Sequence, residues 1–134
     1  MSQGTTIATD EVSREPVTVL VVEDSDDQRL LLRRLFERHG CRVIDAESAE
    51  AAIELYSTVG AGVDLAVVDL LLPGMTGWDL TARIRADLPG CPVAITSVLD
   101  PEQYPCAEAS LVKPVSRARV RDVLERCVDR WQTP

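Results

Sequence analysis

The stretch Leu65–Gly77, LAVVDLLLPGMTG, decides how this chain folds. It places one carboxylate, Asp69, inside a strand-sized apolar run that ends at the breaker Pro73-Gly74. A buried carboxylate without partners is costly, because the charge loses its hydration. We therefore expect Asp69 either to face solvent at the end of a strand or to have charged partners elsewhere in the chain.

The composition predicts one folded domain. The chain has 134 residues, of which 46% are hydrophobic, enough for a sizeable core. Residues 1–15 are polar, and we expect them to form a disordered tail before a domain over residues 16–134. The net charge of -8 argues against a nucleic acid or an anionic membrane as partner. No apolar run approaches the ~20 residues of a membrane span, and no signal peptide is recognisable, so the expected location is cytoplasmic.

Cysteine and histidine usage argues against a zinc site. The chain has one histidine, His39, and its four cysteines include no CxxC pair. We expect the cysteines to be buried free thiols, as is typical of a cytoplasmic protein. His39 follows a predicted helix, so we expect it on the surface, where its charge would suit the helix dipole.

Strand patterns and helix patterns alternate along the chain. Predicted strands cover residues 17–22, 42–46, 65–68, 92–97 and 110–112. Predicted helices cover residues 26–39, 49–59, 77–86 and 115–131, the second with Ser48 as its N-cap. This alternation predicts an α/β fold with a doubly wound, five-stranded parallel sheet.

Polar residues follow the predicted strands at their carboxyl ends. These residues are Glu23, Asp24, Asp69, Ser97 and Lys113. The carboxyl ends of parallel strands meet at one edge of the sheet, so these side chains are expected to converge there. Clustered carboxylates repel one another and call for a cation, and an oxygen-only ligand set favours Mg²⁺ or Mn²⁺. Lys113 is also the only lysine among fourteen basic residues, as expected where a compact charge must reach a metal-phosphate site.

The sequence resembles the CheY-like receiver domains of two-component response regulators. The matching segments are VLVVED at 19–24, VVDLLLPGMTG at 67–77, PVAITS at 92–97 and SLVKPV at 110–115. The resemblance covers about residues 16–131 and implies a flavodoxin-like sheet with strand order 2-1-3-4-5. A flavodoxin itself is rejected, because the acidic segment EDSDD after the first strand would repel a bound phosphate.

The resemblance also implies a role for each strand-end residue. Asp69 would accept a phosphoryl group from a phosphohistidine of a histidine kinase or phosphotransfer protein. Lys113 would pair with Asp69 and then with its phosphate, and Ser97 would hydrogen-bond a phosphoryl oxygen. A cis Lys113-Pro114 bond, common in the family, would aim the lysine.

The implied magnesium ligands are mostly carboxylates. Asp24, Asp69 and the backbone carbonyl of Leu71 would bind the ion directly, and Glu23 would act through water. The chain would then be a stand-alone response regulator and not an enzyme, a phosphoacceptor that assists its own phosphotransfer and dephosphorylation. It would signal to an unidentified downstream protein, with no nucleic acid or membrane involved.

Several departures from the family pattern keep a second function open, a receiver-shaped interaction module not governed by phosphorylation. Val98 follows Ser97 where the family usually has a smaller residue, and Ser110 stands where it often has a switching Tyr or Phe. Leu71 and Leu99 flank the expected path of the hydrolytic water, which predicts slow loss of the phosphate.

The segment between the fourth and fifth strands is short. A helix of ~11 residues with two loops of ~4–6 residues needs roughly 20 residues, but only positions 98–109 are available. Asp100-Pro101 can begin a helix there, and Pro105 would stop it. We therefore expect the fourth helix to be absent or reduced to about one turn.

Overall fold

The computed structural model describes residues 15–59, 62–104 and 107–132, which form an α/β fold. The strands are β1 Thr18–Val22, β2 Arg42–Ala46, β3 Leu65–Asp69, β4 Val93–Ser97 and β5 Ala109–Val112. The helices are α1 Asp26–Arg38, α2 Ala49–Val59, α3 Gly77–Asp87 and α4 Arg117–Cys127. None of these described helices is long and apolar enough to cross a membrane. The predicted tail lies outside the described residues except for Glu15.

The five strands form one parallel sheet in the order β2-β1-β3-β4-β5. This confirms the predicted fold and strand order. Because all strands run the same way, their carboxyl ends share one edge of the sheet. Each of the four helices follows a strand, and a serine or threonine hydroxyl accepts a backbone N–H at its start, including the predicted Ser48.

The sheet has a hydrophobic core on each face. One face packs against α1 and α4 through residues such as Val21, Phe36, Val67, Leu111 and Leu124. The other packs against α2 and α3 through residues such as Val22, Tyr56, Val68, Leu80 and Ile84. Every residue of β1, β3 and β4 is buried, which explains why these strands read as continuous apolar runs.

The predicted extent of the last helix was wrong at its carboxyl end. Helix α4 ends at Cys127 instead of Trp131. Arg130 donates to the backbone oxygens of Glu15 and Pro16 at 2.6 and 3.2 Å, and it forms an ion pair with Asp64. These contacts hold the chain against the start of β1.

His39 is buried, and the expected surface position was wrong. Its side chain is 9% exposed, and Nδ1 donates to the Leu35 carbonyl oxygen at 2.8 Å. The Trp131 ring packs beside it, with ring centroids 6.0 Å apart, and Trp131 Nε1 donates to the His39 backbone oxygen at 2.8 Å. The carboxyl-terminal segment therefore covers the end of α1.

The connection between β4 and β5 contains a 3-10 turn, Pro101–Gln103, at the position of the fourth helix that the sequence predicts to be shortened or absent. The predicted loss of this helix is confirmed. Trp78 Nε1 donates to the Gln103 backbone oxygen at 3.2 Å, and the Tyr104 hydroxyl donates to the Ser97 backbone oxygen at 3.1 Å. The predicted helix stop, Pro105, lies outside the described residues.

Candidate functional site

Three carboxylates meet at the carboxyl edge of the sheet. Glu23 and Asp24 follow β1, and Asp69 is the last residue of β3. One carboxylate oxygen of each lies within 4.8 Å of the others. Glu23 and Asp69 are buried, whereas Asp24 is exposed. Such a cluster of oxygen donors could hold a metal ion, and the donor type suits Mg²⁺.

Asp69 has the charged partner that its position in the sequence required. Its side chain is nearly inaccessible, and Oδ2 accepts a hydrogen bond from Lys113 Nζ at 3.0 Å. Oδ1 accepts from the Leu71 backbone N–H at 3.1 Å. Both carboxylate oxygens are therefore held in place by hydrogen bonds to the protein.

Lys113 connects two of the three carboxylates. Besides Asp69, its ammonium donates to Glu23 Oε1 at 2.5 Å. Burial by itself would lower the pKa of Lys113, but the hydrogen bonds and charges of Glu23 and Asp69 outweigh it and leave the pKa above its ordinary value. The amine is therefore a permanent cation at neutral pH. The Lys113-Pro114 bond is cis, as the resemblance implied.

Glu23 is held more firmly than the sequence suggested. Its side chain is 1% exposed, and Oε2 accepts from the Ser25 backbone N–H at 3.0 Å. Arg29 Nη1 donates to the Glu23 backbone oxygen at 2.9 Å, a contact that the sequence pattern does not indicate. The predicted role of Glu23 as a metal ligand through water remains a prediction.

Ser97 ends β4 and is fully buried. Its hydroxyl oxygen accepts from the Leu99 backbone N–H at 3.2 Å, and its backbone oxygen accepts from the Lys113 N–H at 3.2 Å. The second contact ties the end of β4 to the residue that carries the ammonium. Ser97 therefore lies at the same edge as Asp69, and its hydroxyl proton has no acceptor among the described residues.

Gly77 sets the distance between α3 and the end of β3. A Cβ built at this position would lie 2.2 Å from the Asp69 backbone oxygen and 2.5 Å from the Leu70 Cα. The Gly77 N–H donates to the Leu70 backbone oxygen at 3.0 Å. Only glycine permits this close approach, so the last residue of LAVVDLLLPGMTG fixes the backbone that carries Asp69.

Exposed apolar side chains lie on segments that border the site. Leu71 is 49% exposed, Trp78 is 37% exposed and Val98 is 70% exposed. Leu71 follows the carboxyl end of β3, Val98 follows that of β4, and Trp78 lies in the first turn of α3. The predicted metal contact through the Leu71 carbonyl remains a prediction.

The parallel sheet with order 2-1-3-4-5 is the flavodoxin-like receiver fold. The profile of the response regulator receiver domain matches residues 19–125, and this chain belongs to that family. The chemotaxis protein CheY4 of Vibrio cholerae has the same fold, with a TM-score of 0.77 and 23% identity over 85% of this chain and 100% of that chain.

Two curated relatives are much longer proteins. A cyclic di-GMP phosphodiesterase of Thermotoga maritima is 36% identical over 111 residues, which are 78% of this chain and 29% of that protein. The virulence sensor protein BvgS of Bordetella pertussis is 38% identical over 81 residues, which are 60% of this chain and 6% of that protein. The similarity therefore concerns a receiver-sized part of each relative.

Proposed function

We propose that this receiver accepts a phosphoryl group on Asp69 from a phosphohistidine, with Mg²⁺ or Mn²⁺, and then signals through a phosphorylation-dependent protein contact. The observation that carries the proposal is the Asp69–Lys113 pair, 3.0 Å long and buried beside two further carboxylates. A carboxylate nucleophile beside a fixed cation has what phosphoryl transfer requires, namely position and charge stabilisation.

Asp24 and Asp69 would hold the metal ion, with the Leu71 carbonyl as a third ligand and Glu23 acting through water. Asp24 is exposed, so a metal ion could reach the site from solvent. The three acids carry more negative charge than Lys113 alone neutralises, which favours a bound cation. When bound, the ion would neutralise the negative charge that phosphoryl oxygens bring to the acidic site.

The phosphoryl transfer requires no reagent other than the phosphohistidine donor and Asp69. An Asp69 carboxylate oxygen forms a bond to phosphorus while the bond between phosphorus and the imidazole nitrogen breaks. The electron pair of the broken bond stays on the imidazole. Lys113 then faces a phosphoryl oxygen, and the Ser97 hydroxyl, which accepts from the Leu99 N–H, donates its proton to another.

We place this reaction in the cytoplasm, with a histidine kinase or phosphotransfer protein as donor and an unidentified protein as target. Similarity to part of a sensor protein supports such a donor. Free buried thiols at Cys41 and Cys91 suit a reducing compartment. The chain would act as a phosphoacceptor, assisting its own phosphorylation and dephosphorylation without being an enzyme.

The alternative function is an interaction module that does not depend on phosphorylation. The exposed Val98 next to Ser97 favours it, because an apolar side chain at the site suits a protein contact. Ser110, at the position where the family often has a switching Tyr or Phe, also favours this alternative.

Incubation with acetyl phosphate and Mg²⁺ distinguishes the two functions. We expect acid-stable, base-labile incorporation of one phosphoryl group, which is lost in Asp69→Asn and without the metal. Asp45→Asn removes a partly exposed carboxylate of β2, which pairs with Arg33, and serves as the matched control. Absence of labelling in the wild type would favour the alternative, whereas equal labelling in Asp69→Asn would contradict Asp69 as the acceptor.

A further inference from the structure

Thr96 is a buried polar residue without a partner. It is fully buried in β4, between Ile95 and Ser97. Among the described residues, its hydroxyl is the one inaccessible side-chain oxygen or nitrogen that makes no hydrogen bond. Leaving such a group unpaired is unfavourable, and valine would fill the same space without that cost. Thr96 lies inside an apolar strand, so the sequence pattern gives no signal for it.

The register of the sheet places Thr96 beside Asp69. The two residues are direct partners across the β3–β4 pair, so their side chains project from the same face. Val67 and Ala94, two residues earlier, are also partners and both lie in the core under α1 and α4. The Thr96 side chain therefore belongs to the face that carries Asp69.

The Lys113 side chain crosses β4 to reach Asp69. Thr96 pairs with Leu111 of β5, and Lys113 lies two residues beyond Leu111 on the same face. Its ammonium contacts Asp69 on β3, which is two strand spacings or ~10 Å from β5. The strand between them is β4, and Thr96 is its residue at the level of Asp69.

We propose that Thr96 is a positioning residue for Lys113, accepting a hydrogen bond from its ammonium when Asp69 is phosphorylated. This inference rests on the proposed function. An ammonium has three donors, of which the described residues engage two, through Glu23 and Asp69. Phosphorylation changes the acceptors around this ammonium, because a phosphoryl oxygen takes the place of an Asp69 carboxylate oxygen. The Thr96 hydroxyl then supplies an acceptor on the strand that the lysine crosses.

Two substitutions separate this role from simple packing. Thr96→Val keeps the shape and removes the hydroxyl, whereas Thr96→Ser keeps the hydroxyl and removes the methyl group. Thr18→Val is the matched control, a buried threonine at the opposite end of the sheet. With acetyl phosphate and Mg²⁺ we expect Thr96→Val to be labelled about tenfold more slowly, and the other two variants to stay within about twofold of the wild type.

The lysine can be observed directly, because Lys113 is the only lysine in the chain. In protein labelled with ¹⁵N-lysine, the side-chain signal reports this residue alone. Addition of Mg²⁺ with beryllium fluoride, which imitates a phosphoryl group on a carboxylate, should move the signal to the same position in the wild type and Thr96→Ser. In Thr96→Val the signal should reach a different position.

Equal labelling rates and equal lysine signals in the wild type and Thr96→Val would overturn the inference, as would a Thr96→Ser variant as slow as Thr96→Val. Thr96→Ala, which also lacks the hydroxyl, replaces Thr96→Val in these comparisons if the valine variant does not fold. A wild type that is not labelled at all contradicts the proposed function and this inference with it. If the wild type is labelled and Thr96→Val has the same labelling rate and lysine signal, only the inference about Thr96 is contradicted.

Discussion

Lys113 and Glu23 form an ion pair 2.5 Å long, with the glutamate side chain 1% exposed. The same ammonium also contacts Asp69 at 3.0 Å, so Glu23 and the proposed phosphoacceptor share one cation. Glu23 is therefore a structural partner of the site's only lysine as well as a candidate metal ligand. Removing its charge should affect stability even when no phosphoryl donor is present.

Glu23→Gln should lower the free energy of unfolding by about 1.5–3 kcal/mol, the usual worth of a hydrogen bond to a charged group. Glu37→Gln is the matched control, because Glu37 pairs with Arg33 on the surface and should change stability by less than about 1 kcal/mol. Urea unfolding followed by circular dichroism measures both. Equal effects of the two substitutions would show that the buried pair does not stabilise the fold.

Gly77→Ala should destabilise the fold by more than about 3 kcal/mol, because the added Cβ would overlap backbone atoms of Asp69 and Leu70 that cannot move separately. Gly62→Ala is the matched control. A Cβ at Gly62 meets only Val59 Cγ1 at 3.7 Å, so this change should lie between neutral and about 1 kcal/mol stabilising. Thermal unfolding of the two variants measures the difference, and similar midpoints would contradict the close-approach argument.

Leu71→Asn should speed the loss of phosphate from phosphorylated protein. The half-exposed leucine follows Asp69 by two residues, where it can exclude water but cannot orient it, whereas an amide can hydrogen-bond the attacking water. Radiolabel loss after removal of the donor gives the rate. Leu30→Asn, at an exposed leucine of α1, should leave the rate unchanged. A rate in Leu71→Asn equal to or below that of the wild type would contradict the prediction.

Stability should fall as pH rises from about 9 to 10, because two buried thiols resist ionisation only in the folded state. Burial raises the pKa of Cys41 from 9.0 to about 12 and that of Cys91 from 9.0 to about 11. Above pH 9 the unfolded chain releases protons that the folded chain retains, so the equilibrium shifts towards unfolding. Denaturant midpoints between pH 8 and 10 should show this slope, and Cys41→Ala with Cys91→Ala should flatten it. An unchanged slope in the double variant would mean that other groups cause it.

The local sequence pattern already determined the parallel sheet and the residues at its carboxyl edge. Continuous apolar runs are what strands buried on both faces require, and alternation with helices requires parallel strands. Asp69 and Lys113 could be placed at one edge from these rules, and the twelve residues at 98–109 were too few for a full helix. Such features depend on chain length and on near neighbours in sequence.

Only the tertiary structure decided the contacts between distant segments. Trp131 covers His39 across a separation of 92 residues, and Arg130 reaches back to Glu15 across 115, so the end of α4 could not be read from its own helical pattern. The unpaired Thr96 hydroxyl is invisible in sequence as well, because its environment depends on the register of β4 against β3. The physical reason is the same in each case: burial and pairing depend on which surfaces meet, and those surfaces come from segments far apart in the chain.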